Sequence, residues 1–185
     1  GLDSGEHLNA LGIVLSMASG SMAFINDGAW TKRLHPGWAG IAGITAAAFA
    51  QSGVVGPSAP LEGRFGLYDT LLETMPGHEL NALGDDLGQR WRSLETAIKP
   101  YPACHFNHAF ADCALSLLQQ HHIDIGEIDT ITAAVHPAQV AIVGEPLLDK
   151  QRPANAYEAQ FSVPYIVAAS LCRQRFTLEE LQPEA

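Results

Sequence analysis

Residues 37–53 read GWAGIAGITAAAFAQSG, and apolar residues recur in this stretch at helical spacing. Trp38, Ile41 and Thr45 follow one another at that spacing, which predicts a helix that begins near residue 37 and ends at the glycine at position 53. Alanine and glycine fill most of the other positions, so a neighbouring helix can approach closely. The stretch therefore predicts a helix-packed first half of the chain.

The residues on either side of this stretch also favour helices and turns. Residues 4–19 predict a helix that is capped by Ser4, with Leu8, Leu11 and Leu15 on its inward stripe. Two shorter elements are predicted further along the chain, a helix over 67–75 and an exposed turn and helix over 84–92.

The character of the chain changes at Lys99-Pro100-Tyr101-Pro102. Two prolines remove backbone donors and push their predecessors into extended geometry, so this stretch cannot lie inside a helix. A domain boundary is therefore predicted near residue 97. It separates an all-helical segment over 1–97 from a second domain over 98–185.

The second domain is predicted to combine helices with one strand. Residues 106–120 predict a helix with Phe106, Phe110, Cys113 and Leu117 on its inward face. Residues 128–136 alternate as in a strand, and residues 157–173 predict a helix that its internal proline kinks or delays. One strand cannot form a sheet, so its partners are expected outside this sequence or on another chain. The predicted fold class is mainly α with a smaller α+β part.

Composition excludes several classes of protein. The chain has 185 residues, of which 47% are apolar, and its 10 cationic and 20 acidic side chains give a formal net charge of -10. Such an acidic surface repels phosphate backbones, so no nucleic-acid partner is expected. Apolar stretches are interrupted well before the roughly 20 residues that a membrane-spanning helix needs. We expect a helix-rich cytoplasmic protein without a membrane partner, and the two chain ends suggest a piece of a longer chain.

The chain has three cysteines, Cys104, Cys113 and Cys172. Their odd number and the absence of CxxC spacing argue against a disulfide framework or a structural zinc site.

A candidate anion site surrounds Lys32, the first of only three lysines. Lys32, Arg33 and His35 come just before the Ala-rich helix. Free backbone N–H groups, the helix dipole and mobile cations together favour a carboxylate. The alternative is a surface loop whose charges are simply solvated.

A second candidate cluster follows the prolines, at Lys99, His105 and His108. Two histidines three residues apart at a helix start share one face and can supply a general acid or base near neutral pH. They can equally be two interfacial histidines whose hydrogen bonds are satisfied. A metal site would need a third ligand, which the spacing does not provide.

Four motifs in order make the chain resemble the MmgE/PrpD family. The block over 27–39, DGAWTKRLHPGWA, resembles the family signature DGxxxKxLHPGxAA. The other three are LEGRFG at 61–66, KPYP at 99–102 with His108 behind it, and AQFSVPY at 159–165. The family includes 2-methylcitrate dehydratase, cis-aconitate decarboxylase and iminodisuccinate epimerase.

The resemblance implies a large helical domain that ends near residue 97 and an α+β lid domain that begins at the Lys99 motif. It further implies a cofactor-free homodimer whose active site lies between the two domains and holds a small di- or tricarboxylate. Lys32 and Lys99 match the family's lysines in the first motif and at the lid. Arg33 and His105 are expected to bind substrate with them.

The resemblance implies a lyase, a dehydratase or a decarboxylase, that moves a proton alpha to a carboxylate. His35 and His108, together with Lys32 and Lys99, are the expected catalytic residues. One alternative is an epimerase of the same family. Another is a catalytically incomplete fragment that has a structural or binding role or needs a complementary chain. Cys104 and Gln160 depart from residues common in the family, so no catalytic role is assigned to them.

Overall fold

The computed structural model describes residues 1–71 and 84–182. Within them the α-helices are α1 (Ser4–Leu15), α2 (His35–Gln51), α3 (Leu67–Leu71), α4 (His108–Gln120), α5 (Pro137–Val143), α6 (Leu147–Gln151), α7 (Ala156–Ala159) and α8 (Val163–Arg173). Short 3₁₀ turns lie at Ala23–Asn26, Trp30–Arg33, Arg92–Glu95, His105–Asn107, Ile125–Glu127 and Glu179–Leu181. No β-strand occurs in the described residues, and the fold there is mainly α-helical.

The chain divides into two compact units. The first unit contains Gly1–Met22 and Thr31–Thr96, and the second unit contains Ala23–Trp30 and Ala97–Ala185. The sequence gives no signal for assigning Ala23–Trp30 to the second unit, because the contacts that hold it there are with residues far along the chain.

The residue that caps α1 is Asp3 rather than the predicted Ser4, which is the first residue of the helix. Asp3 Oδ1 accepts the backbone N–H of Glu6 at 2.8 Å, and Glu6 Oε2 accepts that of Asp3 at 2.9 Å. This reciprocal pair is a capping box, which satisfies two donors at once. The helix ends at Leu15, four residues before the predicted end.

The interface between α1 and α2 is formed by small residues. Ala42, Ala46 and Ala50 are buried at successive turns of α2. On α1 the buried residue is Gly12, which lies against the loop after α2, because a side-chain carbon there would come within 2.4 Å of the Pro57 carbonyl oxygen. Backbone therefore packs on backbone. The predicted leucine stripe on α1 is confirmed in part, because its member Leu15 is half-buried whereas Leu8 and Leu11 are 43% and 45% exposed.

The two shorter predicted elements of the first half are described only in part. The predicted helix over 67–75 is described as Leu67–Leu71, and its remaining residues lie outside the described range. The charged stretch is an exposed turn, after which Arg92–Glu95 forms a 3₁₀ turn. Arg90 pairs with Glu95 there at 2.5 Å.

The core of the second unit forms where α4 packs against α8. Its buried positions on α4 are His108, Ala111 and Ala114. The predicted inward face is confirmed at Phe106 and Phe110, which pack against the core, and is wrong at Cys113 and Leu117, which are exposed. A 3₁₀ turn over His105–Asn107 precedes α4, so the α-helix begins at His108 rather than at residue 106.

The predicted helix over 157–173 is two helices, and its proline acts as a late start for the second. Ser162 caps α8 by accepting the Tyr165 N–H at 2.9 Å, and Pro164 lies in the first turn, where no donor is needed. This confirms the late start. Ile166 on α8 is fully buried and anchors a cluster with Ala111.

Residues 128–136 form no strand, which differs from the prediction. Their end residues, Ile128 and His136, have extended backbone angles. A strand also requires a hydrogen-bonded neighbour, and no such neighbour occurs in the described part of the chain. Residues 128–136 thus have the alternating sequence of a strand but no neighbouring strand in the described residues to pair with.

Candidate active site

The first candidate cluster lies on the turn Trp30–Arg33 and the start of α2. Lys32 and Arg33 are exposed, and the turn closes on α2 through a 2.9 Å hydrogen bond from the Leu34 N–H to the Thr31 carbonyl. No side chain caps α2 at Leu34. The first turn of α2 therefore keeps the positive end of its dipole beside two cationic side chains, an arrangement that favours an anion.

His35, the third residue of this cluster, is half-buried at the first position of α2. Gly20 lies against its imidazole. A side-chain carbon at Gly20 would lie 3.4 Å from Nδ1 of His35, and Gly20 has a φ of 133°. Such a carbon would be in ordinary van der Waals contact with the ring, so the requirement for glycine at position 20 comes from a backbone angle that other residues rarely accept.

The second cluster converges on one backbone oxygen of the second unit. Lys99 Nζ donates to the Ala103 carbonyl at 2.8 Å, and His108 Nε2 lies 3.4 Å from the same oxygen. The stiff Pro-Tyr-Pro stretch bends back so that this carbonyl faces both groups. The structure thus brings the predicted residues Lys99 and His108 together.

Aromatic contacts fix the His108 ring. The centroid of the His105 ring lies 5.2 Å from that of His108, and the Tyr101 ring meets His108 edge-on at 5.6 Å. Tyr101 in turn donates a hydrogen bond to Asp112. His108 is buried, whereas His105 is exposed, so the pair combines one enclosed imidazole with one in contact with solvent.

The environment of His108 favours its neutral form. Burial lowers the pKa of His108 below the usual 6.5, and the charges of His105 and Lys99 lower it further. The Ala103 carbonyl and the Asp112 carboxylate oppose this shift. A neutral imidazole at neutral pH can accept a proton, which is the requirement for a general base.

Asn107 is a buried residue of this cluster that the sequence analysis missed. Its Nδ2 donates to the Gln160 carbonyl at 3.1 Å, and the Cys104 N–H donates to the same oxygen at 2.8 Å. Oδ1 of Asn107 has no hydrogen-bond partner although the residue is fully buried. Nothing in the sequence distinguishes Asn107 from an exposed turn residue, since its burial follows from contacts with a distant segment.

Lys150 is a second buried residue that the sequence analysis missed. It is one of only three lysines in the chain, and that rarity could have singled it out. It is 8% exposed, and its Nζ donates to the Ile142 carbonyl at 2.8 Å. Burial lowers the pKa of Lys150, and the nearby Glu158 carboxylate acts in the opposite direction. Lys150 lines a cavity of about 380 Å³ in the second unit that also contains Arg152 and Asp149.

Residues 1–71 and 84–182 contain neither a metal-binding cluster nor a membrane-spanning helix. No group of three or more His, Cys, Asp or Glu side chains in them is placed to hold a metal ion. No helix there has both the length and the apolar character required to cross a bilayer.

Comparison with family models decides the family of the chain. The model of the MmgE/PrpD N-terminal domain matches residues 1–78, and that of the MmgE/PrpD C-terminal domain matches residues 101–185. The chain belongs to the MmgE/PrpD family. The resemblance that its four motifs indicated is thereby confirmed. No curated protein sequence matches the chain.

Each MmgE/PrpD match contains one of the two candidate clusters. The N-terminal match contains Lys32, Arg33 and His35, and the C-terminal match contains His105 and His108. Lys99 precedes the second match by two residues and is linked to it by the hydrogen bond to Ala103.

Proposed function

We propose that this MmgE/PrpD chain acts as a lyase, a dehydratase or decarboxylase, on a small di- or tricarboxylate and requires no cofactor. The observation that carries the proposal is the buried His108, whose ring nitrogen and the Lys99 ammonium meet at one carbonyl oxygen. His108 supplies a neutral base, and Lys99 supplies a cation beside it. Removal of a proton next to a carboxylate needs both.

Dehydration and epimerisation begin with loss of the proton on the carbon alpha to a carboxylate. His108 or His35 accepts the proton, and the electron pair of the broken C–H bond is delocalised into the carboxylate. Lys32 and Lys99 neutralise this growing negative charge, which lowers the barrier to the carbanion-like state. Arg33 and His105 bind and orient the remaining carboxylates.

The step that follows determines the reaction class. Departure of a β-hydroxyl group, protonated as it leaves, gives dehydration. In a decarboxylation the C–C bond to the departing carboxyl group breaks in place of the C–H bond, and a protonated histidine donates a proton to the electron pair left on carbon. Reprotonation on the opposite face gives epimerisation, which is the alternative within the family. All three require cations at the carboxylates and a group that accepts or donates a proton, and the proposed lysines and histidines are of these types.

We also propose the finer organisation that the family suggests. A helical domain over 1–97 precedes an α+β lid domain over 98–185, in which residues 128–136 pair with strands from outside this sequence. The protein is a cytoplasmic homodimer. Support for a partner comes from the exposed apolar residues of α2, among them Ile41 and Ile44.

The test compares Lys32→Ala with the matched control Arg90→Ala. Arg90 is an exposed cation that pairs with Glu95 in the surface turn. Wild type and variants are incubated in D₂O with a panel of di- and tricarboxylates, and NMR measures deuterium alpha to the carboxylate, together with product formation. Loss of a charge-assisted contact at Lys32 should lower kcat/KM about 30- to 1000-fold. Loss of the surface cation should change it by roughly 2-fold.

His108→Gln and Lys99→Ala extend the test to the second cluster. Both should abolish alpha-deuterium exchange while circular dichroism shows that the helical content is kept. A wild-type chain that neither exchanges nor converts any member of the panel would overturn the proposal in favour of a non-catalytic role. Unchanged kcat/KM in Lys32→Ala would remove Lys32 from the site and favour the solvated-loop interpretation.

A further inference from the structure

The segment Ala23–Trp30 is held on the second unit by an aromatic cluster. Phe24 is 3% exposed, and its ring centroid lies 6.1 Å from those of both Tyr157 and Phe161. The latter two rings lie 5.5 Å apart, so the three form one closed group. Such contacts contribute burial together with preferred ring geometry. One end of the segment is therefore fixed by packing against α7 and the residues that follow it.

Gly28 fixes the other end of the segment. It is buried with a φ of 66°, and the Ala29 N–H closes the loop on Oδ1 of Asp27 at 3.1 Å. A side-chain carbon at Gly28 would lie 2.7 Å from Nδ2 of Asn155 and 2.7 Å from Cγ of Glu158. Position 28 thus requires a residue that adopts a left-handed backbone and has no side chain, which is glycine.

The atoms that face Gly28 cannot move aside easily, because they form the cap of α7. Asn155 Oδ1 accepts the N–H groups of Tyr157 and Glu158, each at 2.9 Å. Glu158 accepts the Ala154 N–H at 2.7 Å and the Asn155 amide at 3.1 Å. Any displacement that made room for a larger residue at position 28 would break several of these bonds.

We propose that Gly28 is a positioning residue for Lys32, and that its fit onto the Asn155–Glu158 cap sets where the substrate-binding lysine is presented. This inference rests on the proposed function of Lys32. Lys32 follows Gly28 by four residues and lies in the turn that begins at Trp30. Because the loop is fixed at Gly28, only a few rotatable bonds separate the anchored backbone from the Lys32 ammonium. The ammonium therefore loses less conformational entropy when it binds substrate.

The first measurement tests the anchor without any substrate. Hydrogen–deuterium exchange over residues 23–30 should accelerate at least 10-fold in Gly28→Ala. Gly88→Ala is the matched control, because Gly88 also has a positive φ, of 76°, but no neighbour within 4 Å of a side-chain carbon. It should leave exchange over 23–30 unchanged. Equal exchange rates over residues 23–30 in the two variants would show that Gly28 does not anchor this segment.

The second measurement separates positioning from folding. If Gly28→Ala merely reduced the folded fraction, apparent kcat would fall and KM would stay constant. Displacement of the carboxylate-binding Lys32 should instead raise KM for the converted carboxylate about 10-fold. The milder variant Phe24→Leu, which keeps a buried apolar side chain, should raise KM in the same direction by a smaller factor. An increase in exchange with unchanged KM in both variants would contradict the role in positioning Lys32.

Rescue completes the test. Asn155→Gly with Glu158→Ala removes the three side-chain atoms nearest to position 28. Adding Gly28→Ala to this pair should change KM by less than about 3-fold, since the obstruction is gone. A further 10-fold rise would overturn the proposed contact. A wild type that is inactive on every carboxylate would overturn the proposed function and with it the role of Lys32, whereas the exchange experiment would still decide whether Gly28 anchors the loop.

Discussion

Tyr101 and Asp112 are joined by a hydrogen bond of 2.6 Å from the phenol to the carboxylate. The bond links the stiff Pro-Tyr-Pro stretch to α4, and it lies beside the ring of His108. It raises the pKa of Tyr101 to about 12, with burial and the negative charge of Asp112 adding to the effect. Tyr101 therefore stays protonated and serves as a donor.

Asp112→Asn should lower the pKa of Tyr101 from about 12 towards 10, because the carboxylate charge and its acceptor strength are lost. Ultraviolet titration of the phenols measures the change. Asp129→Asn is the control, since Asp129 is exposed and hydrogen-bonds Thr130 instead. An unshifted tyrosine in Asp112→Asn would show that the pair does not persist in solution.

Acidification should destabilise the second unit through His108. Its folded-state pKa lies below the unfolded value of 6.5, so the contribution to stability is full above 6.5 and declines as pH falls towards the folded pKa. The free energy of unfolding, measured in urea between pH 8 and 5.5, should fall less in His108→Gln than in wild type. His121→Gln, at an exposed position, should behave as wild type. Identical pH slopes in all three proteins would count against burial of a neutral imidazole.

Glu180 should stabilise the fold more than its neighbour Glu179. Burial raises the pKa of Glu180, but hydrogen bonds from Thr177 and Arg175 outweigh it and bring the pKa to about 2. Glu180→Gln should therefore cost about 2 kcal/mol at pH 7, whereas Glu179→Gln, at an exposed ion pair, should cost roughly 0.5 kcal/mol.

The pH dependence of the Glu180 effect has a defined sign. Because the folded pKa lies below the unfolded value of 4.5, the stabilisation is fully present above pH 4.5 and is lost as pH falls towards 2. Denaturant titrations of wild type and Glu180→Gln should thus converge in acid. A constant difference from pH 7 to pH 2 would contradict the assignment.

Alkaline pH should relieve the cost of burying the Lys150 ammonium. Its pKa is lowered by burial, so the folded state is penalised while the amine is charged, and stability rises as pH approaches the unfolded value of 10.5. The difference in unfolding free energy between wild type and Lys150→Met should therefore change in favour of wild type between pH 8 and 10.5. A flat difference for Lys150 would indicate that its ammonium reaches solvent.

Self-association should depend on the outer face of α2. Ile44 is 76% exposed, and the helix carries no Asp, Glu, Lys or Arg. Ile44→Asp should shift the chain towards the monomer in sedimentation velocity, because a charge would be desolvated at the interface. Gln51→Asp, at the exposed end of the same helix, should change it little. A wild type that stays monomeric at high concentration would contradict the homodimer.

The sequence predicted those features whose physical cause is local. The helix rich in Ala and Gly follows from residues three and four apart, and the late start of α8 follows from a proline that needs no donor. The sequence did not predict which side chains of α4 beyond Phe110 are buried, and no strand forms over 128–136, because each outcome depends on distant residues. Burial on α4 depends on its packing against α8, and a strand needs a hydrogen-bonded partner.

The sequence by itself determined the family, through four motifs in order, and thereby the candidate roles of Lys32, Lys99 and His108. Tertiary structure alone decided that His108 is buried against Tyr101, that Asn107 is enclosed, and that Gly28 lies against a cap more than one hundred residues away. The reason is physical. A motif specifies residue types along the chain, whereas burial, ring contact and steric fit depend on which distant residues the packed chain brings within a few ångströms.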